Sequence, residues 1–284
     1  LHTSGLSNTF TKFEIFAMLV ASICHDANHD GFTNQYNVNA QTPLGILFRN
    51  QSVMETHHCT VMINIMTKDE ANLISNLDEN ESGKMWYLLI NLILSTDMAK
   101  HFVIVDQGNK MIQEKRRWKK NDDDRLLVME LLIKAADISN VSRKFEIAGR
   151  WTSDLCEEFF RQGDFEKANG MECSPNSDRE NMDVENSQIV FYHSVCVPLF
   201  ELNAKISPSL KVLVDQIKRN MNAWEKRLNE KREKNEKEKE NQNDDNKNNN
   251  NNNNQTEKDD KSNPPPPSAD DKNNPPPPSA DDKN

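Results

Sequence analysis

Apolar residues recur at three- and four-residue spacing along most of the chain as far as Leu228, a pattern typical of amphipathic helices. Sustained alternation of apolar and polar residues between hairpin turns is nearly absent, so strands are not expected. The periodicity predicts helices over residues 13–23, 44–49, 52–66, 85–102, 125–138, 147–161, 184–202 and 210–236. A loop rich in Asn and Gly is expected from Asn28 to about Pro43. The pattern therefore predicts a compact all-α domain built from many helices.

The composition divides the chain into two parts. Residues 1–236 mix apolar and charged residues as globular proteins do, and we expect them to form one domain. Residues 237–284 are dominated by Asn, Asp, Lys, Glu and Pro, so this segment is expected to be a disordered tail. The tail ends in two copies of NPPPPSADDKN, at 263–273 and 274–284, whose prolines favour an extended polyproline II conformation.

Charge and cysteine content narrow the class of protein. The formal net charge of −10 argues against nucleic acid as a partner. The five cysteines show no paired spacing, which favours reduced thiols and an intracellular, cytoplasmic location. No stretch approaches 18 apolar residues, so no membrane span is predicted in this segment. The chain begins with Leu1, without a signal peptide pattern, and we interpret it as a fragment. If an upstream region carries membrane spans, the cytoplasmic face of a membrane is the alternative location.

Two short stretches carry the candidate chemistry. Cys24-His-Asp-Ala-Asn-His29 places an imidazole beside a carboxylate at the end of an apolar helix. Ala135-Ala-Asp-Ile-Ser-Asn140 places a single carboxylate at the end of another apolar run, where its burial is costly unless it is paired or bound to a metal. Nitrogen and oxygen ligands from distant segments suit divalent ions, and two bridged ions are common in enzymes that hydrolyse phosphate esters. The two stretches therefore indicate a metal-dependent hydrolytic site.

Each of these groups also has a plainer explanation. A histidine at position 25 is favoured as a helix C-terminal cap, and His29 is explained equally well as a solvent-facing loop residue. Glu55 and His58 lie one turn apart and form an ordinary surface pair on a helix. Asp97 lies one turn before His101, on one face of the helix predicted over 85–102, where a structural hydrogen bond would account for it.

Gln188 and Phe191 lie one turn apart on a predicted helix. A glutamine amide both donates and accepts hydrogen bonds, so beside an aromatic ring it is a candidate for binding a purine. The alternative is a surface glutamine beside a core aromatic residue. None of these features decides the function alone.

Taken together, six ordered segments resemble the catalytic domain of the class I cyclic nucleotide phosphodiesterases. They begin at His25-Asp-Ala-Asn-His-Asp-Gly, Gln51-Ser-Val-Met-Glu-Thr-His-His, Leu94-Ser-Thr-Asp-Met-Ala-Lys-His, Ala135-Ala-Asp-Ile-Ser-Asn, Glu157-Glu-Phe-Phe-Arg-Gln-Gly-Asp and Ser187-Gln-Ile-Val-Phe. The resemblance covers roughly residues 13–228. It implies an all-α metal hydrolase that converts a 3′,5′-cyclic nucleotide to the 5′-monophosphate.

The resemblance also implies roles for individual residues. A zinc ion is expected on His25, Asp26 and Asp137, and a second ion, magnesium or manganese, is expected to share Asp26. The residues expected to hold or surround the waters of these ions are His29, Asn34, Glu55, His58 and Asp97. The residues expected to bind the nucleotide are Gln188 through the purine edge, Phe191 and Leu155 as a hydrophobic clamp, Asn140 at the base end, and Met98 and Ile138 as the apolar wall.

One part of the family pattern is missing. The general-acid histidine and the fourth zinc ligand belong to a segment expected upstream of Phe13, and the only histidine there, His2, does not match it. No catalytic proton donor is therefore assigned within this chain, and these residues alone are expected to be inactive or to bind cyclic nucleotide without hydrolysing it. A nucleotidase of the wider His-Asp superfamily is a third possibility, and the Gln188 and Phe191 pair argues against it.

The residues that follow Asn140 favour cGMP over cAMP as the preferred nucleotide. Asn140, followed by Arg143, Glu146 and Ala148, resembles the cGMP-preferring branch, whereas Ser187 before Gln188 resembles cAMP-specific and dual enzymes. A homodimer is a further possibility.

Overall fold

The computed structural model describes residues 5–49 and 51–256, with side chains as far as residue 239. Within these residues there are eleven α-helices and no strand, which confirms the all-α prediction. The helices are α1 (Lys12–Cys24), α2 (Asn34–Asn39), α3 (Pro43–Leu47), α4 (Val53–Met66), α5 (Glu79–Leu94), α6 (His101–Gln113), α7 (Asp122–Asp137), α8 (Phe145–Ala168), α9 (Val184–Phe191), α10 (Val197–Ile206) and α11 (Lys211–Thr256).

The helix starts are encoded locally. Thr11 accepts a hydrogen bond from the Glu14 amide, and Glu14 accepts one in return from the Thr11 amide, which forms a capping box at the start of α1. Asp78 and Glu81 form the same arrangement at the start of α5. Asn121 caps α7, whose first turn carries three aspartates that suit the positive end of the helix dipole.

The core forms where α1, α5 and α7 pack together, with α4, α6 and α10 around them. Its centre includes side chains that are completely buried, such as Ala17, Leu89, Met111, Leu131 and Leu199. Burying such apolar side chains is the main stabilising contribution to a helical domain. Because α1 and α7 share this core, their C-terminal ends are brought to the same region of the surface.

The single helix predicted over 85–102 is wrong, because the chain breaks between α5 and α6. The two helical segments on either side of the break are bent by 87°. The Ser95 and Thr96 hydroxyls donate to the carbonyls of Leu92 and Ile93, at 2.7 Å in both cases, and Asp97 accepts from the Ala99 amide. Side chains that bond to nearby backbone in this way compete with the helical pattern. Asp97 and His101 therefore do not lie on one face of one continuous helix.

Two other segments differ from the prediction in detail. The loop expected over 28–43 contains α2, which begins where Thr33 accepts a hydrogen bond from the Tyr36 amide. The helix expected over 184–202 is interrupted by a π-helical turn, Tyr192–Cys196, and continues as α10. Pro198 lies at the junction of this turn with α10, where it cannot donate the backbone hydrogen bond that a regular helix would need.

The last helix is longer than predicted. The expected end was Glu236, but α11 continues through the asparagine run to Thr256. Glu, Lys and Gln have good helix propensity, and pairs such as Lys234 and Glu238 lie one turn apart, with 3.9 Å between Nζ and Oε1. The prediction of a disordered tail from residue 237 stays a prediction, although the structure describes a helix as far as Thr256. Residues 257–284, which include both repeats, lie outside the described part.

The chain divides into two compact units, of which the first ends at Glu230 and the second begins at Lys231. Among the described residues, no single helix is both long and apolar enough to cross a membrane. The bent pair Glu79–Leu94 and Met98–Gln113 meets that criterion only when its two segments are counted together.

Candidate active site

Three predicted metal ligands meet where α1 and α7 end. His25 follows the last residue of α1, and Asp137 is the last residue of α7. His25 Nε2 lies 3.2 Å from Asp137 Oδ1 and 3.2 Å from Asp26 Oδ2. One potential ligand atom from each of the three residues lies within 4.8 Å of the others. Residues 112 positions apart in the sequence thus form one cluster of a nitrogen and two oxygens.

The contacts of His25 fit a metal ligand. Its Nδ1 lies 2.9 Å from the Ser22 carbonyl, so Nδ1 donates and Nε2 faces the two carboxylates. Hydrogen bonds with Asp137 and then Asp26 raise the pKa of His25 to about 10. The hydrogen bond with His25 lowers the pKa of Asp26. The cluster therefore favours positive charge beside Nε2, and its donor set suits zinc or another borderline divalent ion.

A second and a third histidine lie beside Asp26. His58 Nδ1 lies 2.8 Å from the Ala27 carbonyl, and its Nε2 lies 3.8 Å from Asp26 Oδ1. Burial lowers the pKa of His58, which favours the neutral ring. The ring of His29 stacks on that of His58 with 5.6 Å between centroids, and His29 Nδ1 accepts from the Gly31 amide. Both imidazoles are held in fixed orientations next to the carboxylate that is expected to bridge two ions.

The remaining predicted water-holding groups are fixed by hydrogen bonds. Asn34 donates to Glu55 Oε2 at 2.9 Å and accepts from the Met54 amide at 2.8 Å, which joins the start of α2 to α4. Burial raises the pKa of Glu55. Asp97 is 6 % exposed and accepts from the Ser52 hydroxyl at 2.7 Å. Glu55 and Asp97 interact electrostatically, so these acids belong to one region.

The predicted purine-binding residues lie on α8 and α9. Gln188 and Phe191 are half-buried on α9, and Leu155 on α8 is 38 % exposed. The Thr152 hydroxyl donates to Gln188 Oε1 at 3.3 Å, which links the two helices. The structure therefore brings the helix that carries Gln188 against the helix that carries the expected clamp residue.

The other three predicted pocket residues follow the metal ligands along the chain. Ile138 comes directly after Asp137, and its half-buried side chain packs against the hydrophobic core. Asn140 is half-buried in the 3₁₀ turn Ser139–Ser142. Met98 is 45 % exposed and follows Asp97. Of these three, Met98 is the most exposed.

A buried polar network, which the sequence did not reveal, links α8 to the loop that follows His29 and to the segment that precedes α9. Gln162 accepts from the Thr33 amide and donates to Glu166 Oε1, each at 2.9 Å. Glu166 also accepts from the amide and hydroxyl of Ser174. Both side chains are at most 1 % exposed, and buried networks of this kind are rigid when every member is paired. The loop after His29 and the segment before α9 are thus both fixed to α8.

Gly163 brings that segment close to α8. A Cβ atom at this position would lie 1.9 Å from the Ser177 carbonyl oxygen, so no larger residue fits. The glycine between Gln162 and Asp164 in the middle of a helix, with Glu166 one turn after Gln162, is the signal that sequence analysis could have used.

A model of the 3′5′-cyclic nucleotide phosphodiesterase family matches residues 1–217. The chain belongs to the cyclic nucleotide phosphodiesterase family. The match includes the metal cluster and Gln188, and it confirms the family predicted from the sequence. The roles of the individual site residues stay predictions.

Relatives within the phosphodiesterase family differ in the nucleotide that they are named for. The chain is 32 % identical over 232 residues to a probable 3′,5′-cyclic-AMP phosphodiesterase of Caenorhabditis elegans, covering 79 % of this chain and 34 % of the relative. It is 34 % identical over 212 residues to the high affinity cGMP-specific 3′,5′-cyclic phosphodiesterase 9A of Homo sapiens, covering 75 % of this chain and 35 % of the relative. The chain thus spans about a third of the length of these relatives.

Among solved structures, the phosphodiesterase domain of the RhoPDE fusion protein from the choanoflagellate Salpingoeca rosetta is similar to this one. It has a TM-score of 0.76 and 30 % sequence identity, and the match covers 79 % of this chain and 72 % of that domain's chain. The all-α architecture is therefore that of a phosphodiesterase catalytic domain.

Proposed function

We propose that the protein hydrolyses a 3′,5′-cyclic nucleotide to the 5′-nucleoside monophosphate. The observation that supports this most strongly is the cluster of His25, Asp26 and Asp137 in a chain of the phosphodiesterase family. Two acids and an imidazole at the ends of rigid helices form a fixed binding site for divalent ions. Zinc and magnesium or manganese, when bound there, would neutralise the phosphate charge and lower the pKa of a water toward neutrality.

Other roles in binding the ions, water and the purine are proposed for individual residues of this chain. Asp26 would contribute a carboxylate to both ions, and its two oxygens lie 3.2 Å from His25 Nε2 and 3.8 Å from His58 Nε2 respectively. Glu55 and Asp97 accept hydrogen bonds from fixed donors and offer their free lone pairs to water. Gln188, steadied by Thr152, would hold the purine edge, while Phe191 and Leu155 exclude water from its faces.

The source of the proton for the leaving 3′ oxygen is not assigned to a described residue. His101 is 1 % exposed and His57 Nε2 lies 2.9 Å from Asn28 Oδ1, so neither ring is free at the surface. His2 lies outside the described residues. The prediction of an upstream general acid and fourth ligand therefore stays a prediction, as do the homodimer and the cytoplasmic location.

We also propose cGMP as the preferred nucleotide. The support is the sequence around Asn140, which resembles the cGMP-preferring branch, together with a cGMP-specific enzyme among the relatives. A glutamine amide can pair with either purine edge, so Gln188 alone does not discriminate. The ratio of kcat/KM for cGMP and cAMP, measured on one preparation, tests the preference, and a ratio below one contradicts it.

The test of the function is product release by the full-length protein. With Zn²⁺ and Mg²⁺ or Mn²⁺ supplied, 5′-monophosphate should appear from cyclic nucleotide, and Asp137→Ala should stop it. Asp122→Ala, at the exposed start of the same helix, is the matched control and should remain active. Tight binding of cyclic nucleotide without product would identify a binding protein instead. Release of phosphate from 5′-monophosphates would identify a nucleotidase.

A further inference from the structure

Two lysines contact the backbone carbonyls at the break between α5 and α6. Lys100 Nζ lies 3.0 Å from the Leu94 carbonyl. Lys134 Nζ lies 2.9 Å from the Ser95 carbonyl and 3.4 Å from those of Thr96 and Asp97. Four consecutive carbonyls are therefore contacted by ammonium groups, just after the end of a helix, where carbonyls lack their intrahelical donors.

Lys134 is the unusual member of this pair. It is 3 % exposed, and it lies in the apolar run of α7. Burying an ammonium group is costly unless its three N–H donors find acceptors, and here three carbonyl oxygens are within reach. The side chain therefore lies buried on one segment of backbone that is 37 to 39 residues away in the sequence.

The position of Lys134 connects two parts of the candidate metal site. It lies three residues before Asp137, and so on the same face of α7. The backbone that it contacts runs from Ser95 to Asp97, and the Asp97 carboxylate also accepts from the Ser52 hydroxyl and the Ala99 amide. Asp97 is thus held by α4 through Ser52 and by α7 through Lys134.

The positive charge of Lys134 and the placement of Asp97 by Lys134 should have opposite effects on the binding of a divalent ion. The carboxylates of Asp137, Asp97 and Glu55 all lie near enough to interact with the ammonium group. A positive charge near these acids repels a second cation, so electrostatics alone would make removal of Lys134 strengthen divalent ion binding. If Lys134 instead serves to place Asp97, its removal weakens binding. The two effects have opposite signs.

We propose that Lys134 is a positioning residue, which fixes Asp97 relative to Asp137 and thereby sets how tightly the second divalent ion is held. This inference rests on the proposed function of the site as a centre for two ions. Lys134 touches neither substrate nor ion in this assignment, and it acts through the Ser95–Asp97 backbone.

The experiment compares Lys134→Met with two other variants of the full-length protein. Lys134→Arg keeps the charge and the donors. Asn203→Leu is the control for general loss of stability, because Asn203 is likewise buried, at 1 % exposed, and donates to the Leu131 carbonyl, which lies on the same helix but further from the site. Melting temperatures of all variants are measured first, so that loss of stability can be compared between Lys134→Met and Asn203→Leu.

Two readouts are independent of catalysis. Mn²⁺ binding, followed by electron paramagnetic resonance, should weaken about 10- to 100-fold in Lys134→Met, as when residues that orient metal ligands are removed. Hydrogen exchange should accelerate at the Ala99 and Lys100 amides, which bond to Asp97 Oδ1 and the Asp97 carbonyl. Lys134→Arg should retain most of the affinity, and Asn203→Leu should change neither readout.

Unchanged or tighter Mn²⁺ binding in folded Lys134→Met would overturn the proposal, and so would equal weakening in Asn203→Leu. If Lys134→Met does not fold, Lys134→Gln, which keeps two N–H donors on a shorter side chain, takes its place in the same comparison. If the unmodified protein binds Mn²⁺ but releases no 5′-monophosphate, the proposed function fails, while the exchange and binding results still decide the role of Lys134.

Discussion

The metal end and the purine end of the candidate site are supported in different ways. At the metal end, side chains such as His25, His58 and Asp97 make at least one fixed hydrogen bond each to backbone or to another side chain. At the purine end, the Gln188 side chain makes one hydrogen bond to the described residues, at 3.3 Å, and Leu155 is 38 % exposed. Chemistry on phosphorus needs exact placement, whereas a purine can be held by adaptable surfaces. We therefore expect changes at the metal end to affect turnover and changes at the purine end to affect binding.

The largest effect should come from Asp137→Ala in the full-length protein. This change removes one of three converging ligands and should reduce turnover to below about 1 %. Elemental analysis should show a matching loss of bound zinc, which Asp122→Ala should not cause. Activity above a few per cent with unchanged metal content would show that Asp137 is not a ligand.

A smaller effect on a different constant is expected from Gln188→Ala. Losing the hydrogen bonds of one neutral side chain should cost about 1–3 kcal/mol and appear mainly as a higher KM, with kcat changed less. Thr152→Val, which removes the contact to Gln188 but keeps the amide, should give a smaller rise in KM. A collapse of kcat at constant KM would place Gln188 at the reacting end and remove the contrast between the two ends.

The three candidate metal ligands could be selected from the sequence because they lie at the ends of helices. Apolar periodicity located the ends of α1 and α7, and both ends carry charged residues next to the last apolar turn. In the structure the two helices share a core, and their terminal groups reach the same region of the surface. His25, Asp26 and Asp137 were therefore accessible to pattern analysis.

Residues whose role depends on contacts with distant backbone could not be predicted from the sequence pattern. The break at Ser95–Asp97 was missed because an apolar run continues on both sides of it, and the lysine that contacts these carbonyls comes from another helix. Thr152 was missed because only the packing of α8 against α9 brings it to Gln188. A lysine within the apolar run before Asp137 was the available clue, since buried lysines need partners.

A buried histidine behind the metal end has a consequence for stability in acid. His101 is buried beside Lys134, and both ring nitrogens lack a hydrogen-bond partner among the described residues. Burial, with Lys134 adding to it, lowers the pKa of His101 to about 4, against about 6.5 for an unfolded chain. As pH falls below 6.5 the unfolded chain takes up the proton first, so stability is lost between pH 6.5 and 4.

His101→Leu should remove that part of the pH dependence. At pH 5.5 the difference from the unmodified protein should be about 1 kcal/mol, measured as the change in unfolding free energy between pH 7 and pH 5.5 in urea titrations. The variant should lose less stability over this interval than the unmodified protein. Equal losses would mean that His101 is hydrated or paired in solution and that the core behind Asp97 is not dry.

The smallest effect is expected from removing the tail, which neither end of the site uses. The side chains of residues 231–239 are all exposed, and the ion pair between Lys234 and Glu238 contributes only about 0.3–0.5 kcal/mol. Truncation after Glu236 should therefore change the melting temperature by less than about 2 °C and leave kcat and KM unaltered. A truncation that also removes Trp224 and Leu228, which are 3 % and 7 % exposed, should unfold the domain or lower its melting temperature by many degrees, because it takes apolar side chains from the core. If the shorter truncation proved as damaging as the longer one, residues 237–284 would have to pack on the domain, and the two-ended description of the site would need a third contributor.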